Sequence, residues 1–116
     1  MLIIKHTSPK RALSHLRKLQ RQGEELLALG RLLTIVDEGF WEVRVWTYID
    51  KITANRNAFE PALARDMEDL GEIRLDRLKS PREADCLVRR RIARRLVLLA
   101  GIIEKAEALV ELESER

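Results

Sequence analysis

The chain has 116 residues, of which 46% are hydrophobic and 35% charged, and its 22 basic and 19 acidic residues give a formal net charge of +3. This length fits one domain with one core, and the apolar content excludes a disordered chain. Aromatic residues make up only 4%, with 5 glycines and 3 prolines, so residues that build strands and tight turns are scarce. The composition therefore predicts one all-helical domain over residues 1–116, with fraying expected at 1–8 and 113–116. The nearly balanced charge by itself indicates no polyanionic partner.

A first helix is predicted to begin at Ser8 and Pro9. The serine hydroxyl can accept a backbone N–H, and the donor that proline lacks is not needed in a first turn. Apolar residues then recur at helical spacing until the helix ends near Gly30. Gly23 lies on this apolar stripe although an internal glycine costs about 1 kcal/mol relative to alanine. We therefore expect another helix to approach closely at Gly23.

A second helix is predicted over residues 37–55, where one apolar stripe includes Trp41. Residues 32–36 before it suit either a buried loop or an early turn. A third element is predicted from Pro61, with Leu63, Met67 and Leu70 at spacings of four and three. Apolar residues continue to Leu78, which leaves either one bent helix or two short ones.

The strongest local signal is Ser80-Pro81-Arg82-Glu83, a capping box with proline at the first helical position. A long helix, roughly 45 Å at 1.5 Å per residue, should begin there and run almost to the C-terminus. Four helices with short connections predict an antiparallel four-helix bundle with a long C-terminal helix. Trp41 and Trp46 are expected to anchor its core, because aromatic residues on an apolar helix usually pack inside.

Four arginines of the last helix, Arg90, Arg91, Arg94 and Arg95, are placed by helical geometry opposite its apolar stripe, with Arg89 nearer the core flank. Such a face could contact phosphates through salt-sensitive ion pairing. The alternative is a solvated face that is screened by carboxylates of neighbouring helices, such as Glu68, Asp69 or Glu72. Helical nucleic-acid readers usually add a turn motif or a longer basic stripe, and neither is present.

Residues 96–103 read LVLLAGII and surround the helix with apolar side chains. Such a segment must be covered on every side. Either it is the central helix of the bundle, or its outer side is an interface with a second copy or another protein, because soluble monomers rarely expose a patch of this kind. We expect Leu98 and Ile102 on that outer side, with Gly101 allowing a close helix crossing.

Residues with metal or catalytic chemistry form no recognisable site. Cys86, His6 and His15 lack paired metal-ligand spacing, and the isolated glycines fit no phosphate-binding loop. Clustered carboxylates near Asp66 are typical of a wet helix face rather than an acid/base pair. The sequence therefore predicts no cofactor, no metal and no enzymatic activity.

The expected compartment is the cytoplasm. A single cysteine is compatible with reducing conditions, and the N-terminal MLIIKHTS lacks the features of a signal peptide. Residues 96–103 are too few for a membrane span, which needs about 20 residues.

The first half of the chain resembles a helical domain found at the N-terminus of bacterial abortive-infection and stress-effector proteins. The matching residues are Leu16-x₂-Leu19-x₃-Gly23-x₂-Leu26-Leu27, followed by Phe40-Trp41, Trp46, Ile49, Ile52 and Phe59. The Phe-Gly turn common after the second helix is replaced here by Ala54-Asn55-Arg56-Asn57. The resemblance implies a non-catalytic module for assembly or partner sensing in phage defence, with the effector encoded elsewhere.

These observations predict a bacterial, non-catalytic interaction module that forms a homodimer or docks a protein partner through its last helix. The alternative is a nucleic-acid-binding protein that uses the arginine face. Salt separates the two hypotheses, because binding through several phosphates weakens steeply with ionic strength whereas an apolar dimer is nearly indifferent.

Overall fold

A computed structural model describes residues 3–53 and 80–115 of the chain. Its regular secondary structure within these ranges consists of three helices: α1 (Pro9–Leu27), α2 (Ile35–Ile52) and α3 (Pro81–Ser114). The all-helical prediction is confirmed for this part of the chain. The third predicted element, from Pro61 to Leu78, lies outside the described residues, as do the carboxylates expected to screen the arginine face.

The predicted N-terminal caps of α1 and α3 are both confirmed. Ser8 Oγ accepts a hydrogen bond from the Arg11 N–H at 3.2 Å, and Ser80 Oγ accepts one from the Glu83 N–H at 3.2 Å. Helix α3 runs for 34 residues, about 51 Å at 1.5 Å per residue, and is therefore slightly longer than expected.

Helix α2 begins two residues earlier than predicted because of a capping box that the sequence reading missed. The Thr34 N–H donates to Asp37 Oδ2 at 2.8 Å, and the Asp37 N–H donates back to Thr34 Oγ1 at 3.4 Å. Of the preceding apolar residues, Leu33 is a buried loop residue and Ile35 already belongs to the helix. Leu32 is 47% exposed, so the buried-loop expectation holds only for Leu33, and the early-turn expectation holds from Ile35. The helix ends at Ile52 rather than 55.

The core lies mainly between α1 and α3, which make the most extensive helix contact of the described residues. Helix α2 closes one side of this pair. The buried apolar cluster comprises Leu13, Leu16, Leu19, Leu33, Trp41, Val45, Ile49, Val88, Ile92, Leu99, Ile102, Ile103 and Ala106.

The close approach predicted at Gly23 is confirmed. A Cβ atom built there would lie 2.5 Å from Trp41 Cζ2 and 2.8 Å from Leu96 Cδ2. Trp41 is buried and its indole Nε1 donates to the Leu19 carbonyl at 2.8 Å, which satisfies its one polar atom. The second expected anchor, Trp46, packs against the core but is only partly buried.

Arg89 and Asp85 tie the connection between α1 and α2 to the side of α3. Asp85 Oδ1 accepts a hydrogen bond from the Leu33 N–H at 2.6 Å and from Arg89 Nε at 3.0 Å. The Arg89 guanidinium donates at 2.8–3.2 Å to the carbonyl oxygens of Leu27, Leu29 and Arg31. These donors satisfy carbonyl groups of the last residue of α1 and of the loop after it, which would otherwise need water.

The segment before α1 contacts the end of α2. Ile4 forms an isolated antiparallel bridge with Thr53, and the Lys5 N–H donates to the Ile52 carbonyl at 2.6 Å. The chain just before α1 is thereby attached to the C-terminal end of α2.

Candidate interaction surfaces

The four arginines of the predicted face point in two different directions. Arg90 and Arg94 are exposed, as expected. The prediction is wrong for Arg95, of which only 4% is exposed, and for Arg91, which is partly buried against α2. The physical reason is the opposite charge on the facing helix, where Glu38 is also buried.

Glu38, Glu42, Arg91 and Arg95 form a buried ion-pair cluster between α2 and α3. Glu38 Oε1 lies 2.9 Å from Arg91 Nε and 3.4 Å from Arg95 Nη1. Arg95 Nη2 donates to Glu42 Oε1 at 2.6 Å. Burial raises the pKa of Glu38, and the two arginine charges oppose that rise. A buried charge needs such partners because its desolvation costs several kcal/mol, so the cluster has a structural explanation.

The three predicted interface residues of α3 differ in solvent exposure. Ile102 is buried in the core, so its expected place on the outer side is wrong. Leu98 is partly buried, and Gly101 is exposed as expected. Ile102 is turned inward because it lies three residues after Leu99 and four before Ala106, both of which are buried in the core.

The outer face of α3 is a stripe of small and apolar residues at helical spacing. Ala93, Val97, Gly101 and Ala108 are all exposed, Val97 by 73%. A Cβ built on Gly101 would meet nothing within 4 Å, so packing among the described residues gives no reason for a glycine there. We call this stripe, together with Arg90 and Glu104 on the same face, the outer α3 face.

Charge is distributed unevenly along α3. Residues 81–95 contain six arginines and two carboxylates, whereas residues 104–115 contain five glutamates and one lysine. Arg90 and Glu104 each lie seven residues from Val97, on opposite sides of it. Neither makes an ion pair within residues 3–53 and 80–115.

A second exposed apolar surface lies on α2. Val36, Phe40 and Val43 are 62%, 69% and 64% exposed, and their spacing of four and three places them on one side of the helix. Phe40 also borders a shallow cleft with Leu29. The sequence reading missed this surface because it treated the second helix only as a source of core residues, although the i, i+4, i+7 pattern was visible.

Neither a metal site nor a membrane span is present among the described residues. They contain no group of three or more His, Cys, Asp and Glu side chains arranged to hold a metal ion. None of the three described helices combines the length and the apolar character that crossing a membrane requires.

No protein-family model, curated protein or solved structure matches this chain. The resemblance to the N-terminal domain of abortive-infection proteins therefore stays a prediction.

Proposed function

We propose that the protein is a non-catalytic helical interaction module that self-associates through the outer α3 face. The observation that carries the proposal is the exposure of Val97 in a stripe of small residues on the longest helix. A glycine inside a helix costs about 1 kcal/mol relative to alanine, and Gly101 brings no benefit within the described residues. Close contact with a second helix would supply that benefit.

The charges favour a second copy of this chain as the occupant. In an antiparallel pair centred on Val97, residues whose numbers sum to 194 lie opposite each other. Arg90 of one copy then lies beside Glu104 of the other, and Ala93 lies against Gly101. A parallel pair would place arginine beside arginine and glutamate beside glutamate, which is unfavourable. Antiparallel pairing therefore gains both small-residue contacts and opposite charges.

The size of the surface sets the expected affinity. From Arg90 to Glu104 the outer α3 face is about 21 Å long at 1.5 Å per residue. Two helices of this length bury less than the roughly 1,200 Å² of a standard stable interface. We therefore expect a dimer with micromolar affinity that is sensitive to single substitutions.

The finer architecture and setting are part of the same proposal. The four-helix bundle is supported by the spacing of Leu63, Met67 and Leu70 in the sequence, outside the described residues. A cytoplasmic location is supported by the single, exposed Cys86, and a role in bacterial phage defence only by the resemblance.

Mass measured by light scattering over 5–200 µM protein tests the proposal. We expect the wild type to approach twice its chain mass of 13.5 kDa, and both Val97→Glu and Gly101→Leu to remain monomeric. Phe40→Glu is the matched control, since it adds a charge to an equally exposed apolar position on α2 and should leave the dimer intact.

Two results would overturn this assignment. One is a wild type that stays monomeric at 200 µM. The other is a dimer that persists in Val97→Glu and is lost in Phe40→Glu, which would move the interface to α2. Circular dichroism of each variant establishes that it is folded.

A further inference from the structure

A basic cleft lies between α1, the end of α3 and one residue of α2, away from the outer α3 face. Its volume is about 990 Å³, at the upper end of the roughly 300–1,000 Å³ typical of ligand pockets. Five cationic side chains of α1 line it: Lys10, Arg11, Arg17, Lys18 and Arg21.

Most of these cations are electrostatically unpaired. Arg17 lies 3.4 Å from Glu107, whereas the other four make no ion pair with any residue in the described ranges. Glu111 is the second carboxylate of the lining. Five cations against two carboxylates leave a net positive cleft on a chain whose overall charge is nearly balanced. Such a concentration of one sign raises the local concentration of anions.

Two aromatic rings form part of the cleft wall. The ring centroids of His15 and Tyr48 lie 3.9 Å apart with an angle of 32° between the planes. His15 is exposed and Tyr48 partly buried. Burial, together with the charges of Lys18 and Lys51, lowers the pKa of His15 below its ordinary value of 6.5. The imidazole is therefore mostly neutral at pH 7 and presents an uncharged ring.

We propose that this cleft binds single-stranded nucleic acid, with the α1 cations on successive phosphates and an unpaired base stacked on His15. From Lys10 to Arg21 the cations extend over about 16 Å of helix, enough for several nucleotides. Positively charged grooves with aromatic rings are the usual means of binding single strands without sequence preference. A duplex keeps its base faces stacked inside and offers only phosphates.

The location differs from the arginine face that the sequence indicated. On α3, Arg89 and Asp85 hold the loop before α2, and Arg91 and Arg95 pair with Glu38. Arg90 and Arg94 of α3 are exposed, but the larger cluster of exposed cations among the described residues lies on α1.

Fluorescence anisotropy with a labelled 12-nucleotide single strand of mixed sequence tests the proposal. Each phosphate of a single strand that a cation neutralises contributes roughly −0.7 to the slope of log affinity against log salt concentration. We therefore expect a slope of about −3, since four cleft cations make no ion pair in the described ranges. The triple variant Lys10→Gln, Lys18→Gln and Arg21→Gln should bind at least tenfold more weakly, with a slope near −1. The proposal is overturned if the wild type does not bind, or if the wild type binds with a salt slope shallower than −1.

The matched control removes the same charge elsewhere. Arg44→Gln, Arg82→Gln and Arg94→Gln together lower the net charge equally but lie outside both the cleft and the outer α3 face. This triple variant should bind within twofold of the wild type. An equal loss in both triple variants would show that binding follows net charge, which overturns a specific site.

His15→Ala tests the stacking step separately. We expect it to weaken binding of the single strand about fivefold and to leave inorganic polyphosphate binding unchanged, because polyphosphate has no base. A duplex of the same sequence should bind more weakly than the single strand. Equal effects of His15→Ala on both ligands, or tighter duplex binding, would overturn the base-stacking assignment. Thermal unfolding of each variant establishes that the fold is retained.

Discussion

Gly23 and Gly39 both lie inside helices, but only Gly23 faces another helix at close range. A side chain at Gly23 would collide with Trp41 and Leu96, whereas one at Gly39 would meet nothing within 4 Å. The same residue type therefore has opposite effects on stability at the two positions. At Gly23 the effect on stability is determined by packing, and at Gly39 it is determined by the low helix propensity of glycine.

Gly23→Ala is expected to lower the free energy of unfolding by about 1–3 kcal/mol, because overpacking outweighs the gain in helix propensity. Gly39→Ala is the control and should raise it by up to about 1 kcal/mol. Urea unfolding followed by circular dichroism measures both. Equal effects of the two substitutions would contradict the close contact at Gly23.

Asp85 gives the stability of the fold a defined pH dependence. Hydrogen bonds from the Leu33 N–H and from Arg89 hold the pKa of Asp85 below its ordinary value of 3.8. A carboxyl group with a lowered pKa in the folded state stabilises the fold above its unfolded pKa, and this contribution is lost as the pH falls through the folded pKa.

Asp85→Asn should therefore be less stable than the wild type at pH 7, and the difference should shrink as the pH falls below about 4. Urea unfolding at pH 7, 5 and 3 provides the comparison. Glu113→Gln, on the exposed last turn of α3, should show no such difference. A gap between Asp85→Asn and the wild type that stays constant with pH would argue against this role of the carboxylate.

At the scale of the helices, the buried ion-pair cluster between α2 and α3 is where the structure differs most from the sequence-based prediction. Val88, Ile92, Arg95, Leu99 and Ile102 follow spacings of four and three along α3, so Arg95 occupies a core position. The arginine run obscured this spacing in the sequence. The core position of Arg95 could be predicted from this spacing. Its ion-pair partners on α2 could not, because nothing in the sequence says which residues of α2 face it.

Local signals predicted the helix ends better than they predicted the contacts. Ser8 and Ser80 marked two starts correctly because a cap needs only residues three positions apart. The Thr34 box was equally local and was missed. In contrast, Arg89 binds carbonyl groups about 60 residues away, and contacts at such separations depend on how the helices pack. The exposed apolar surfaces on α2 and α3 could not be predicted either, because helical spacing alone does not distinguish an exposed apolar stripe from a buried one.

Arg95→Met is expected to destabilise the fold by about 3 kcal/mol, because it leaves Glu38 buried with one ion-pair partner fewer. Arg90→Met is the matched control, since Arg90 is exposed and its loss should cost no more than about 0.5 kcal/mol. Differential scanning calorimetry at a protein concentration below the dimer range measures both. Similar costs for the two variants would be inconsistent with a buried ion-pair cluster.

At the scale of the whole molecule, a single helix connects the two proposed activities. The inward side of α3 builds the core with α1, its outward side carries Val97 and Gly101, and its C-terminal turns border the basic cleft. The outer α3 face and the cleft share no residue, so we expect the proposed self-association and the proposed nucleic-acid binding to be independent of each other. Loss of one in a variant should leave the other intact.

The distance between the Cys86 residues of two associated copies tests the central claim most directly. Cys86 is the only cysteine and is exposed, so a spin label attaches without any substitution. In the antiparallel pair centred on Val97, the two labelled positions lie 22 residues apart along the helix axis, about 33 Å at 1.5 Å per residue. Pulsed electron spin resonance at 200 µM is expected to give a label separation near 34 Å once an interaxial distance of about 9 Å is included. A separation below about 20 Å, or no dipolar coupling between copies, would contradict self-association through the outer α3 face.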